Sequence, residues 1–361
     1  MARSNRLRHP CLGLAALLLA PAALAQGAAE CAREPEAATR LACYDRLFRE
    51  VPSPAAPNAA PEGAPTTVAA PAPAAAAAAP SVGELSPASE SFTKAWELTP
   101  ETKRGTFVVR TYLPNFVLPL HYSSSINQTP ASPTHGTATG LPAYRPLDAK
   151  LQISLRAKVA QGLLLPDADL WFAYTQRSFW QVWSPQQSSP FRNTDYQPEA
   201  IYVVPVPKTW ATLPGGWHWR MAQLGLAHQS NGQSGALSRS WNRLYAATAF
   251  DRGEFGLTLR AHQRLGEKTD DDNPDLVHFV GNTEVVASWL PGLATASLTW
   301  RTHAVTGQRG SLQLDWTYPV VRSQPSGLRW YAQVFSGYGE TLLDYNHRQT
   351  SLGLGLTLFQ F

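Results

Sequence analysis

From about Ser91 to Phe361 apolar and polar residues alternate with a period of two. Leu151, Ile153, Leu155, Ala157 and Val159 take one parity, and Gln152, Ser154, Arg156 and Lys158 the other. Leu312, Leu314, Trp316 and Tyr318 oppose Gln313, Asp315 and Thr317, and Leu328, Trp330, Ala332 and Val334 oppose Arg329 and Gln333. Successive side chains of a strand point to opposite faces, so each run predicts a strand with one apolar and one polar face. Runs that fill some 270 residues, at roughly 22 per tilted strand and turn, predict about twelve strands. An even number of antiparallel strands can close on itself and leave no edge. Apolar outside and polar inside is the pattern of a barrel in a membrane; a secreted β-sandwich would give the same alternation.

The end of the chain and its composition separate these two. The last strand, SLGLGLTLFQF, alternates Leu352, Leu354, Leu356 and Leu358 before a terminal Phe361, like the closing strand of bacterial outer-membrane barrels. Phe361 falls on the opposite parity from the leucines, which predicts a bulge or end effect near the terminus. Only 16% of residues are charged, against about 25% in soluble domains, while 12 Trp and 12 Tyr supply material for aromatic girdles. A formal net charge of +4 is too small to point to nucleic acid. The fold class is therefore all-β, a twelve-stranded antiparallel transmembrane barrel, and it predicts export to the outer membrane.

Upstream the pattern is different. Three arginines precede an apolar run from Cys11 to Leu24 that ends in small residues, which reads as a signal peptide over 1–25, cut before Gln26. Residues 26–50 hold Ala37, Leu41, Tyr44 and Phe48 at helical spacing, a short helix with Cys31 and Cys43 as its one exported cysteine pair, hence one disulfide. Residues 51–90 are dominated by Ala, Pro, Ser and Gly, cannot bury a core, and read as a disordered linker. The barrel domain is then 91–361.

Candidate chemistry sits in HQSNG at 228–232 and SRSWNRLY at 238–245. Parity puts Leu224, Leu226, His228 and Ser230 on one face, and Asn242 with Leu244 and Ala246 on one face of the next strand. A hairpin loop over 231–239 would set His228 opposite Asn242 and Leu226 opposite Leu244. Nucleophile, base and orienting group would then meet at the rim of an apolar band. A carboxamide orients the imidazole without placing a charge beside hydrocarbon. An open barrel wall offers few donors for an oxyanion, and a bound cation would supply the missing field. Gln176 continues the apolar face of Leu170, Phe172 and Tyr174, so an unpaired amide there would point to a partner across a subunit interface.

The string GLAHQSNGQSGALSRSWNRLYA at 225–246 resembles the active-site hairpin of the outer membrane phospholipase A family. AYTQRSFWQVWSPQQSSPFRNTDYQPE at 173–199, DDNPD at 271–275 and YAQVFSGYGETLLDYN at 331–346 resemble the same family in the same order. The resemblance spans nearly the whole barrel and leaves out residues 26–90. It implies a calcium-dependent phospholipase A1/A2 acting on phospholipids and lysophospholipids as a homodimer. Ser230 is then the nucleophile, His228 the base and Asn242 the orienting residue. It further implies calcium ligands at Gln233 and Ser238 of one subunit and Ser188 of the other, with Asp272 at a second calcium site. Gln233 stands where arginine is expected, but the ligand there is the backbone carbonyl. Gln229 stands where some members have an acid, on the parity that turns away from the triad. The competing readings are a barrel that is only a pore or scaffold, and a soluble esterase.

Overall fold

The period-two runs fold as strands because each can bury one polar row and expose one apolar row. The computed structural model describes residues 33, 36, 38–40, 43 and 87–361 except 189–190, 267–270, 308 and 359–361, with backbone only at 87–90. Six strands run from β1 (Asn115–Ser123) through β2 (Leu147–Gln161), β3 (Asp169–Trp180), β4 (Asn193–Pro205) and β5 (Trp217–Ser230) to β6 (Ser240–Arg252). Six more follow: β7 (Phe255–Leu265), β8 (Thr283–Trp289), β9 (Thr295–Thr302), β10 (Ser311–Pro319), β11 (Leu328–Gly337) and β12 (Gln349–Leu358). Each pairs antiparallel with the next, and β12 returns to pair with β1, which closes the twelve-stranded barrel.

Burial is inverted relative to a soluble protein. Ile153, Leu155, Leu312, Leu314, Trp316, Leu328, Trp330 and Val334 are exposed on the outer wall, whereas Gln152, Ser154, Arg156, Lys158, Asp315, Arg329 and Gln333 are buried in the lumen. That arrangement rules out the secreted sandwich and places the barrel in the outer membrane. The expected irregularity near the terminus lies further in. Register shifts between Leu354 and Leu356 against β1, and between Leu118 and His121 against β2. Pro119 has no N–H to give either neighbour, and Gly355 lies where a Cβ would come within 2.1 Å of the Val117 carbonyl oxygen. Phe361 is outside the described residues.

The lumen is filled from both ends. Helix α1 (Pro87–Trp96) runs across position 91, where composition places the start of the barrel domain. It delivers Trp96 to a cluster with Leu98, Trp171, Ile201, Val203 and Met221. Beside it Lys158 pairs with Glu97 and Asp169, each at 2.7 Å, and the Arg156 guanidinium lies 4.0 Å from the Trp96 ring centroid. At the other end Glu340 reaches in between Lys150 (2.7 Å) and His121 (3.0 Å), and His121 also meets Asp148 at 2.6 Å. This packing argues against an open pore. Removing one partner of such a buried pair strands the others. Lys158→Met is expected to cost about 3–5 kcal/mol of barrel stability, read as a lower denaturant midpoint in micelles.

The two rims differ. Ser123, Trp180, Ser230, Leu265 and Gly337 lead into long connections, while Arg252 turns directly into Phe255. Long loops mark the extracellular rim of bacterial barrels. In the separate unit Met1–Ala77, residues 38–40 and 43 are helical and Cys43 is disulfide-bonded. Cys31, the signal peptide and the Ala/Pro stretch over 51–86 lie outside the described residues.

Candidate active site

Strands β5 and β6 form the hairpin that parity predicts. Asn242 pairs with His228, Leu244 with Leu226 and Ser240 with Ser230, which leaves 231–239 as the loop. Asn231 shapes that loop from within. Its Oδ1 accepts from the Arg239 amide (3.0 Å) and the Gln233 amide (3.3 Å), and its Nδ2 donates to the Leu237 carbonyl (2.8 Å). Gly232 has φ +64°, and a Cβ there would lie 3.1 Å from the Tyr196 ring, so both backbone and space call for glycine.

His228, Leu226 and Leu224 stand exposed in one column on the outer wall, with exposed Leu244 and half-buried Asn242 in the next. His228 Nδ1 lies 2.9 Å from Asn242 Oδ1. An amide oxygen only accepts, so Nδ1 carries the proton and Nε2 keeps a lone pair free for base work. Ser230 shares the column, and its Oγ makes no hydrogen bond among the described residues. Same-face neighbours on a strand are about 7 Å apart at Cα, a gap that an imidazole and a rotating serine side chain close together. Catalytic hydrogen bonds of free enzymes are often open and tighten on substrate.

The DDNPD segment is docked against this hairpin and is not a free turn. Asp272 Oδ2 accepts from Ser238 Oγ (3.0 Å) and Ser240 Oγ (2.9 Å), and Oδ1 meets His135 Nε2 at 2.7 Å. Asn273 is buried and accepts from the Ser240 amide at 3.0 Å, and Arg264 anchors Asp271 at 2.5 Å. Partial burial would raise the Asp272 pKa, but the hydrogen bonds from His135, Ser240 and Ser238 outweigh it and hold the carboxyl below its ordinary range. Sequence reasoning missed Ser240 and His135. Ser240 was findable, because it shares the parity of Asn242; His135 sits in a long loop and carries no such signal.

These groups suit a hard cation. Ser238 Oγ, the Asp272 carboxylate and the Gln233 carbonyl are all oxygen donors, the set calcium prefers. Among the described residues no group of three or more His, Cys, Asp and Glu is arranged to hold a metal ion. Ser188 is not brought to this group within one chain. It lies in the connection between β3 and β4, where its carbonyl accepts from Trp180 Nε1 and its Oγ donates to the Pro185 carbonyl at 3.3 Å.

Gln176 corrects an expectation. Its amide is not alone on the apolar face, since Oε1 accepts from Tyr174 OH (3.1 Å) and Nε2 donates to Ser178 Oγ (3.3 Å). Residues i and i+2 share a strand face, and these side chains are long enough to span the gap. The cost of an unpaired amide is therefore met inside the chain and gives no independent argument for a subunit contact.

The phospholipase A1 family model matches residues 92–358. A relative from Neisseria meningitidis serogroup B is 35% identical over 365 residues, 95% of this chain and 94% of its own, so the likeness reaches into residues 26–90. Phospholipase A1 of Escherichia coli K12 is 36% identical over 211 residues, 58% of this chain and 69% of that protein. Among solved structures, the Salmonella typhi outer membrane phospholipase dimer with bound calcium is 31% identical, covering 74% of this chain and 97% of that one at a TM-score of 0.63. Outer membrane phospholipase A from Escherichia coli is 32% identical, covering 71% and 100% at a TM-score of 0.61.

Proposed function

The chain belongs to the phospholipase A1 family, and from that premise we propose that Ser230, His228 and Asn242 hydrolyse acyl esters of phospholipids and lysophospholipids, with calcium and as a homodimer. The observation that carries this reading is the His228–Asn242 hydrogen bond at 2.9 Å on the outer wall, level with Leu226 and Leu244. A lipid lying against those leucines brings its ester to the height of His228 and Ser230. Longer loops at that end of the barrel support an outer-leaflet height for the site.

Ser230 Oγ attacks the ester carbonyl carbon while its proton passes to His228 Nε2. Asn242 Oδ1 holds the Nδ1 proton and so fixes which nitrogen receives it. The C–O bond to glycerol then breaks, and His228 returns the proton to the departing oxygen. Water then attacks the acyl carbon, giving a proton to the same nitrogen, and His228 returns that proton to Ser230 Oγ as the acyl–serine bond breaks and the fatty acid leaves. Calcium, when bound, would supply positive field where the carbonyl oxygen gains charge. The residues to hold it would be the Gln233 carbonyl and Ser238 Oγ of one subunit with Ser188 of a second copy, and Asp272 would serve a second calcium site beside Ser238. The Salmonella typhi relative, solved as a dimer with bound calcium, supports a role here for calcium and for a second copy of the chain. Gln176, whose amide is satisfied within its own strand, is kept at the dimer interface only as part of this proposal.

Purified protein incubated with phospholipid should release fatty acid in calcium and not in chelator. Failure to release any would overturn the reading in favour of a non-catalytic scaffold. Asn242→Ala should lower kcat about 10–100-fold with little change in KM, because an orienting partner is lost and no substrate contact is. A KM effect alone would remove Asn242 from the role given it here.

A further inference from the structure

We infer that Tyr345, together with Arg239, is a positioning residue pair that holds the 231–239 loop in calcium-binding shape from the inside of the barrel. The inference rests on the calcium-dependent reading above and extends it to the lumen side of the hairpin.

The segment between β11 and β12 does not stay on the rim. Glu340 ties its start into the lumen, accepting from Lys150 Nζ (2.7 Å), Gln349 Nε2 (2.6 Å) and Ser351 Oγ (2.7 Å). The Leu342 amide donates to Asp195 Oδ2 at 2.9 Å, which fixes the next turn. Leu342 and Tyr345 then pack with Leu276 against Trp241, the lumen-side neighbour of Asn242 in β6. Tyr345 is fully buried, and its hydroxyl donates to Asp275 Oδ1 at 2.5 Å.

Arg239 is the link from this packing to the loop. It is fully buried, and its Nη1 donates to the Ala236 carbonyl (3.0 Å) and the Ser238 carbonyl (2.6 Å). Its backbone N–H is held by Asn231 Oδ1, the same oxygen that takes the Gln233 amide. The guanidinium therefore fastens the loop at Ala236 and Ser238, while the Arg239 backbone shares Asn231 Oδ1 with Gln233. Its Nε and Nη2 are buried without a hydrogen-bond partner. What faces the charge is the Tyr345 ring, with its centroid 5.7 Å from the guanidinium carbon. Take the ring away and the cation loses that face, while the carbonyls it holds lose a fixed donor.

The test compares Tyr345→Leu, Tyr345→Phe and Arg239→Lys with the wild-type chain in micelles. Calcium binding is followed by titration calorimetry, and fatty-acid release by its kcat and KM. Tyr345→Leu, which keeps an apolar side chain and removes the ring, should weaken calcium binding about tenfold and lower kcat, with KM for lipid little changed. Tyr345→Phe keeps the ring and should stay within about threefold of wild type. Arg239→Lys keeps the charge but not the planar fork and should shift calcium binding as Tyr345→Leu does. Calcium binding equal to wild type in both Tyr345→Leu and Arg239→Lys would overturn the inference. So would a loss in Tyr345→Leu that Tyr345→Phe shares in full. If Tyr345→Leu does not fold, Arg239→Lys decides alone by the same criterion. A wild-type chain that neither binds calcium nor releases fatty acid would instead sink the reading of function, a distinct result.

Discussion

Ser230→Ala should reduce fatty-acid release by about 10⁴-fold or more, with calcium binding, dimer formation and denaturant midpoint unchanged. The size follows from the chemistry, since no other hydroxyl lies in the column of His228. Ser240 pairs across from Ser230, but its Oγ is committed to Asp272, and it lies on β6 with Asn242 and not in the column of His228. Ser230 is only partly buried and its Oγ makes no hydrogen bond among the described residues, so removing that hydroxyl breaks no contact there. Turnover is measured on micellar phospholipid, and the fold by heat-modified gel mobility. Release within tenfold of wild type would show that another group attacks the ester.

Calcium removal is expected to have a comparable effect. In excess chelator the rate should fall at least about 10²–10³-fold, the scale of losing an oxyanion donor, and calcium should restore it in full. Asp272→Asn should raise the calcium needed for half-maximal activity while leaving the rate at saturation near wild type. The pH dependence has a definite sign. A depressed carboxyl pKa keeps Asp272 charged above that value, and its contribution is lost only as pH falls through it. Calcium affinity should therefore hold as pH is lowered through the ordinary aspartate range near about 4. An affinity that faded well above that range would contradict the hydrogen-bonded carboxylate.

Strands, faces and the β5–β6 register were legible in the sequence because they depend on near neighbours and on a strict period. Leu226 and Leu244 share the apolar column with His228 and Asn242, so parity and a loop length suffice to pair them. What was not legible depends on partners far apart in the chain. Glu340 meets Lys150 and His121, and Asp272 meets His135, across separations no local pattern spans. Read alone, DDNPD is a polar turn; in the fold it is the acceptor for two serine hydroxyls of the hairpin. The helix that carries Trp96 into the lumen starts among Ala, Pro and Ser, and composition there speaks only for a linker. Gln176 shows the opposite error, an isolated amide by parity whose neighbours two residues away on the same strand satisfy it.

The packed interior has a kinetic consequence. With Trp96, Lys158 and Glu340 occupying the core of the cylinder, neither reactant nor product can pass along its axis. Everything arrives and leaves sideways, by diffusion in the plane of the leaflet. Velocity should accordingly track the mole fraction of lipid at the surface, and inert detergent should slow the reaction by dilution in two dimensions even when the total lipid in the tube is constant.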